Sequence, residues 1–201
     1  MSSKVLFPTT IWTHAFIDLQ PMLPDWIQRL NEMRAREQEG KGRSTRSGWS
    51  GPKTLFEDPA FQPLLIQCQQ AFKAALREMG VPDGFSFAME AWGNIHDPGG
   101  FNLPHIHREA VLSGSFYLYT PTESGEIVFH DPRPGTLYSR PWGRGANSWS
   151  KVGVQVKPGM LLLFPNWLEH SVEQNQSIDA RYSIAMNAVI LRRPGKNAVA
   201  E

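Results

Sequence analysis

Hydrophobic positions along the chain change period once, near residue 85: before it they recur every three or four residues, and after it they alternate. Residues 24–36 place Trp26, Ile27, Leu30 and Met33 at helical spacing, with Pro24 suited to a first turn. A second helix is predicted to open at Asp58-Pro59. It carries the stripe Phe61, Leu64, Leu65, Cys68, Phe72, Ala75, Leu76 and Met79, and Gly80 stops it. Cys68 lies on that stripe, so it is expected to pack, not to react. Residues 5–12 predict a short opening strand, and the polar, glycine-rich residues 40–52 predict a loop.

Beyond residue 85 the pattern predicts short strands at 85–95, 111–119, 126–130, 152–156, 160–164 and 181–190. Residues 111–119 put Val111, Ser113, Ser115, Tyr117 and Tyr119 on one face and Leu112, Gly114, Phe116 and Leu118 on the other. The last strand separates a polar face (Arg181, Ser183, Ala185, Asn187) from an apolar one (Tyr182, Ile184, Met186, Ala188, Ile190). A polar strand face backed by an apolar one is what a cavity wall in a barrel-like sandwich requires. The polar run 173–179 predicts a hairpin linking a strand that ends near His170 to the strand of Arg181. Residues 131–151 form a long irregular segment rich in Gly, Pro and Arg, and segments of this length are usually functional or disordered.

Composition narrows the class. A length of 201 residues with 41% hydrophobic and 19% charged side chains is that of one globular domain with ample core. Its 16 prolines, 17 glycines and 7 tryptophans favour a mostly β core with frequent turns. A formal charge of +1 gives no general case for nucleic acid or a membrane surface. One cysteine excludes a disulfide framework, and no apolar run reads as a signal peptide or a membrane span, so a cytoplasmic location is expected.

Candidate chemistry sits at Asn102-Leu103-Pro104-His105-Ile106-His107, with His170 and Arg181 far along the chain. Residues i and i+2 of a strand share a face, so His105 and His107 can reach one ion together. His170 would complete three ligands and leave open positions, which suits non-haem Fe(II). Arg181 offers a planar charged fork for a carboxylate, and Ser183, two residues on, can add a hydroxyl donor. His107-Arg108-Glu109 has the spacing of a His-x-acid pair, so Glu109 is an alternative ligand at this stage. His14, His96 and His130 lack such context.

These residues resemble a known family, the 2-oxoglutarate/Fe(II) oxygenases of a small bacterial and phage type. The resemblance rests on Trp92-x-Asn94, on Gly99 to Asn102 with His105 and His107, and on Leu112-Ser113-Gly114 before an aromatic strand. It continues through Ser124-Gly125, Asp131-Pro132-Arg133, Pro158-Gly159, Phe164-Pro165-Asn166-Trp167 with His170, and Arg181-Tyr182-Ser183-Ile184. The resemblance implies a double-stranded β-helix (jelly roll, cupin-like), with residues 1–84 as helical support and 85–192 as the core. It implies Fe(II) on His105, His107 and His170, and 2-oxoglutarate held by Arg181 and Ser183, with Asn102 and Tyr117 beside it. Asn94, Trp167 and Arg133 would line the substrate pocket. The reaction implied is oxidation, in the simplest case hydroxylation, of a small-molecule or peptide substrate, with release of succinate and CO₂. A three-histidine, cupin-like metalloprotein without 2-oxoglutarate is the competing expectation. The aromatic residues of 131–151 are candidates for a homodimer interface.

Overall fold

The computed structural model describes residues 1–37, 40, 42–82, 84–138 and 149–192. Two helices, α1 (Leu23–Arg36) and α2 (Gln62–Glu78), precede most of the strands. The strands are β1 (Trp12–Ala15), β2 (Thr45–Ser50), β3 (Ser86–His105), β4 (Leu112–Tyr119), β5 (Ile127–His130), β6 (Lys151–Val154), β7 (Met160–Pro165), β8 (His170–Val172) and β9 (Arg181–Arg192). They form one curled antiparallel sheet in the order β1-β7-β4-β9-β3-β8-β5-β6, with β2 on the other edge of β3. This is the jelly roll. No helix among the described residues is long and apolar enough to cross a membrane.

Alternation along β4 and β9 builds two cores. Leu112, Phe116 and Leu118 of β4 and Ile184, Met186 and Ala188 of β9 pack outward against Trp26, Leu30, Leu64 and Phe72 of the helices. Tyr117, Phe129, Leu162, Phe164 and Leu168 pack inside the roll. Leu30 is fully buried and lies over Gly93, where an added Cβ would meet its Cδ2 at 2.4 Å. The missing side chain at Gly93 is what lets α1 approach β3; truncating Leu30 to alanine would cost about 2–5 kcal/mol.

The structure corrects four of the predicted elements. The opening strand is Trp12–Ala15, paired with β7, whereas residues 5–7 are exposed; Pro8 lacks the N–H a ladder there would need. Within 40–52 a strand forms, because Thr45 and Ser50 hydroxyls bond to polar partners on β3, a stabilisation that a polar composition does not reveal. The second helix starts at Gln62; Asp58 caps only the short 3₁₀ turn Pro59–Phe61. The hairpin over 173–179 is absent: β8 and β9 do not pair with each other but follow one another along the same edge of β3. β3 is therefore a single long strand, opposite Arg181 at His96 and opposite His170 at His105. The strands β1 and β2 also mean that residues before 85 contribute to the sheet.

Candidate metal centre

Three imidazoles converge where β3 ends and β8 begins. His105 is paired across the ladder with His170, and His107 follows two residues later. One ring nitrogen from each lies within 4.8 Å of the others. The ring centroids stand 4.3 Å (His105–His170), 5.2 Å (His105–His107) and 5.1 Å (His107–His170) apart. Each ring has its other nitrogen tied down. His105 Nδ1 donates to the Leu103 carbonyl at 2.8 Å, His170 Nδ1 to the Leu168 carbonyl at 3.0 Å, and His107 Nδ1 to Asn187 Oδ1 at 2.7 Å. An acceptor on Nδ1 fixes the tautomer, so all three rings leave Nε2 as a bare lone pair. The set fits a divalent ion: three neutral nitrogen donors, oriented beforehand, with coordination positions left for other ligands.

Burial keeps these rings uncharged. It pushes the His107 pKa down to about 4, and His105 is lowered for the same reason. His170 lies well below its ordinary value, through burial first and then the neighbouring His105. A metal arriving near neutral pH therefore displaces no protons from them. Glu109, the alternative ligand, is exposed and stands outside the cluster.

Deeper in the roll, Arg181 is 1% exposed, with no acidic partner among the described residues. Its Nη1 donates to the carbonyls of Ser124 (3.3 Å) and Gly125 (3.0 Å), its Cζ lies 5.3 Å from the Tyr117 ring centroid, and its Nε has no partner. Burying a guanidinium without an anion is costly, so this arrangement is set up to receive one. Ser183, two residues on and 5% exposed, is paired across the sheet with Asn94 on β3 and Tyr117 on β4, so these three side chains share the interior face with Arg181. Gly125, at φ +80°, leaves no room for a Cβ, which would meet the Glu173 carbonyl oxygen at 2.5 Å. The Ser-Gly turn can thus present its carbonyls to Arg181.

Other predicted residues fall at varied distances from this centre. Asn102 donates to Ser44 Oγ (2.8 Å) and Thr45 Oγ1 (3.3 Å) and faces His96 through its oxygen. Asn94 is buried and accepts from Ser50. Trp167 is half exposed, three residues before His170. Arg133 forms an ion pair with Asp131 at 2.6 Å. Arg140, Trp142 and Arg144 of the 131–151 segment lie outside the described residues. Alternation along the last strand puts Asn187 on the inward face but gives it no role; in the structure its oxygen holds His107 and also accepts from Ser113 Oγ at 2.9 Å. Asn166 supports the same ligand by accepting His107's backbone N–H through its own carbonyl at 3.0 Å.

Fold and site together define a jelly-roll protein with a three-histidine metal centre and a buried arginine facing the same interior. Residues 90–187 match the family model described as "Putative 2OG-Fe(II) oxygenase". No curated protein matches the sequence. Among solved structures, a Pseudomonas putida prolyl-4-hydroxylase superposes with TM-score 0.66 at 15% identity, over 92% of this chain and 94% of that one. HygX from Streptomyces hygroscopicus, with nickel and 2-oxoglutarate bound, superposes with TM-score 0.63 at 12% identity, over 90% and 83%. A prolyl hydroxylase from Trichoplax adhaerens, in complex with a hypoxia inducible factor peptide fragment, gives 0.60 at 12%, over 89% and 83%. At these identities the likeness is one of fold.

Proposed function

We propose that the chain is a non-haem Fe(II), 2-oxoglutarate-dependent oxygenase that hydroxylates or otherwise oxidises a small-molecule or peptidyl substrate. The single observation that carries this reading is a buried guanidinium with an unpaired N–H on the interior face of a sheet beside which three imidazoles converge. A metal site alone has no use for such an arginine. A dicarboxylic keto acid uses both, one end at the metal and the far carboxylate at Arg181 and Ser183.

When bound, the metal and 2-oxoglutarate supply the oxidising power: O₂ and the keto acid yield succinate and CO₂, and the second oxygen atom enters the substrate C–H bond. The chain's own residues hold and orient. Asn187, Leu103 and Leu168 fix the ligand tautomers, so metal binding loses little entropy. Arg181 and Ser183 set the keto acid's direction, and the apolar interior of Phe129, Phe164 and Leu168 excludes water. At the mouth, Trp92 stacks on His107 with centroids 5.8 Å apart, and Lys53 lies 5.7 Å over the Trp92 ring while paired with Glu90 at 2.8 Å. Leu103, Ile106 and Trp167 are exposed near the ligands, a surface suited to a substrate with apolar groups.

The test is uncoupled turnover. Purified protein with Fe(II), ascorbate, 2-oxoglutarate and O₂ should release succinate without added substrate, and His105→Ala and Arg181→Ala should each abolish it. Succinate release that survives Arg181→Ala would refute the assignment of the arginine, and metal binding with no keto-acid turnover would favour the three-histidine metalloprotein.

A further inference from the structure

Arg181 is not alone in leaving a buried polar atom without a partner. His96, 2% exposed, faces it directly across the β3–β9 ladder, and its Nδ1 has none either. Opposed residues of an antiparallel pair project to the same face, so an unpaired ring nitrogen and an unpaired guanidinium N–H look into one interior. Buried groups of this kind nearly always have partners in folded proteins. Two neighbouring exceptions point to a single missing ligand.

We propose that His96 is a further binder of the cosubstrate's far carboxylate, donating from Nδ1 alongside Arg181 and Ser183; this rests on the oxygenase reading above. His96 Nε2 faces Asn102 Oδ1, and the Asn102 amide donates to the hydroxyls of Ser44 and Thr45. In that state the ring proton sits on Nε2 and Nδ1 is bare. The chain passes into hydroxyls, Ser44 on one branch and Thr45 on the other, where Thr45 meets Ser50, the donor to Asn94; hydroxyls donate as readily as they accept. If they reverse, Asn102 turns its oxygen to them and its amide to Nε2, and the ring proton moves to Nδ1. His96 Nδ1 and Arg181 Nε can then both donate to the carboxylate, with no net proton gained. The surrounding charge agrees. Arg181 faces His96 from β9, with Tyr117 of β4 beside it. Asp97, next along β3, is engaged by Arg34 of α1 at 2.6 and 2.7 Å, and the groups reached through Asn102 are the hydroxyls of Ser44 and Thr45. Burial, with the Arg181 cation second, pushes the His96 pKa down to about 4. The ring is therefore neutral and donates from one nitrogen at a time.

The competing role is a tether between β3 and β2 through Asn102. Two substitutions separate the roles, since asparagine places an amide near the Nδ1 position and glutamine reaches the Nε2 position. Calorimetric titration of Mn(II)-loaded protein compares 2-oxoglutarate with 2-oxobutyrate, a keto acid lacking the far carboxylate. His96→Gln should weaken 2-oxoglutarate binding about 10- to 100-fold, the scale of a lost hydrogen bond to a charged group, and His96→Asn about threefold or less. Neither should change 2-oxobutyrate binding. Wild-type affinity in His96→Gln, equal loss in both variants, or equal loss for both keto acids would overturn the proposal. If Arg181→Gln weakens 2-oxoglutarate binding and His96→Gln does not, this inference fails and the oxygenase reading stands. If the wild type binds no 2-oxoglutarate, both fail. A second measurement needs no variant: imidazole ¹⁵N shifts of Zn(II)-loaded wild type should move His96 from the Nε2–H to the Nδ1–H tautomer on saturation with 2-oxoglutarate. An unchanged tautomer would overturn the proposal.

Discussion

Replacing Asn187 with alanine tests how far the metal centre depends on a residue that touches no metal. The Asn187 oxygen is the acceptor that holds His107 Nδ1–H at 2.7 Å, and the same atom accepts from Ser113 at 2.9 Å. The site is dry: Asn187 is 5% and Ser113 0% exposed, so water does not readily replace the amide. Loss of such a supporting partner costs about 10- to 100-fold in metal affinity, or about 1.4–2.8 kcal/mol. Two donors left without an acceptor should lower the stability of the metal-free protein by about 1–3 kcal/mol. For a domain of this size that corresponds to a fall in Tm of about 2–12 °C. Calorimetric titration with Mn(II) measures the first effect and a thermal melt the second. Asn187→Asp should do the opposite to metal, since a carboxylate on Nδ1–H makes His107 a better donor. A folded Asn187→Ala protein that binds Mn(II) within twofold of wild type would refute the claim that this hydrogen bond orients the ligand.

Stability of the metal-free protein should fall in mild acid. His96 and His107, held near pKa 4 in the folded chain, titrate near 6.5 when unfolded, so below that value the unfolded state binds more protons. Each should lose about 2 kcal/mol between pH 7 and pH 5, and bound metal should protect; a flat urea midpoint over that range would contradict the burial argument. Ser183→Ala should weaken 2-oxoglutarate binding about five- to tenfold and leave Mn(II) affinity unchanged, read by the same titrations. Gly125→Ala forces a side chain into φ +80° against the Glu173 carbonyl. It should cost about 1–3 kcal/mol of stability and weaken 2-oxoglutarate binding by shifting the carbonyls that hold Arg181. Cys68 is fully buried and burial pushes its thiol pKa up, so thiol reagents should label it only after unfolding.

The parts legible in the sequence were those written in periodicity. The inward polar face of Arg181, Ser183 and Asn187 and the outward apolar face of Ile184, Met186 and Ala188 follow from alternation alone, and the structure has both. The grouping of His105, His107 and His170 was also expected and the structure has it, although His107 lies two residues past the end of β3. What was not legible depends on pairing between distant strands. Asn187 meets His107 across 80 residues, and no local pattern encodes that contact. His96 looked ordinary because its significance comes from standing opposite Arg181, a register set by the β3–β9 ladder that runs from Phe87–Ile190 to His96–Arg181. The same strand defeated the expected hairpin at 173–179, since β8 and β9 spend their hydrogen bonds on β3. β2 was hidden for a different reason: its polar residues read as loop until the Ser50 and Thr45 hydroxyls meet Asn94 and Asn102.

The central claim is that one bound molecule spans the histidines and Arg181. Anaerobic titration of the metal-free protein with Fe(II) and then 2-oxoglutarate, followed by visible absorption, tests it most directly. A charge-transfer band that saturates at one keto acid per iron, and that Arg181→Ala shifts to much higher keto-acid concentration, is the predicted result. Iron binding without a band, or a band indifferent to Arg181→Ala, would contradict it.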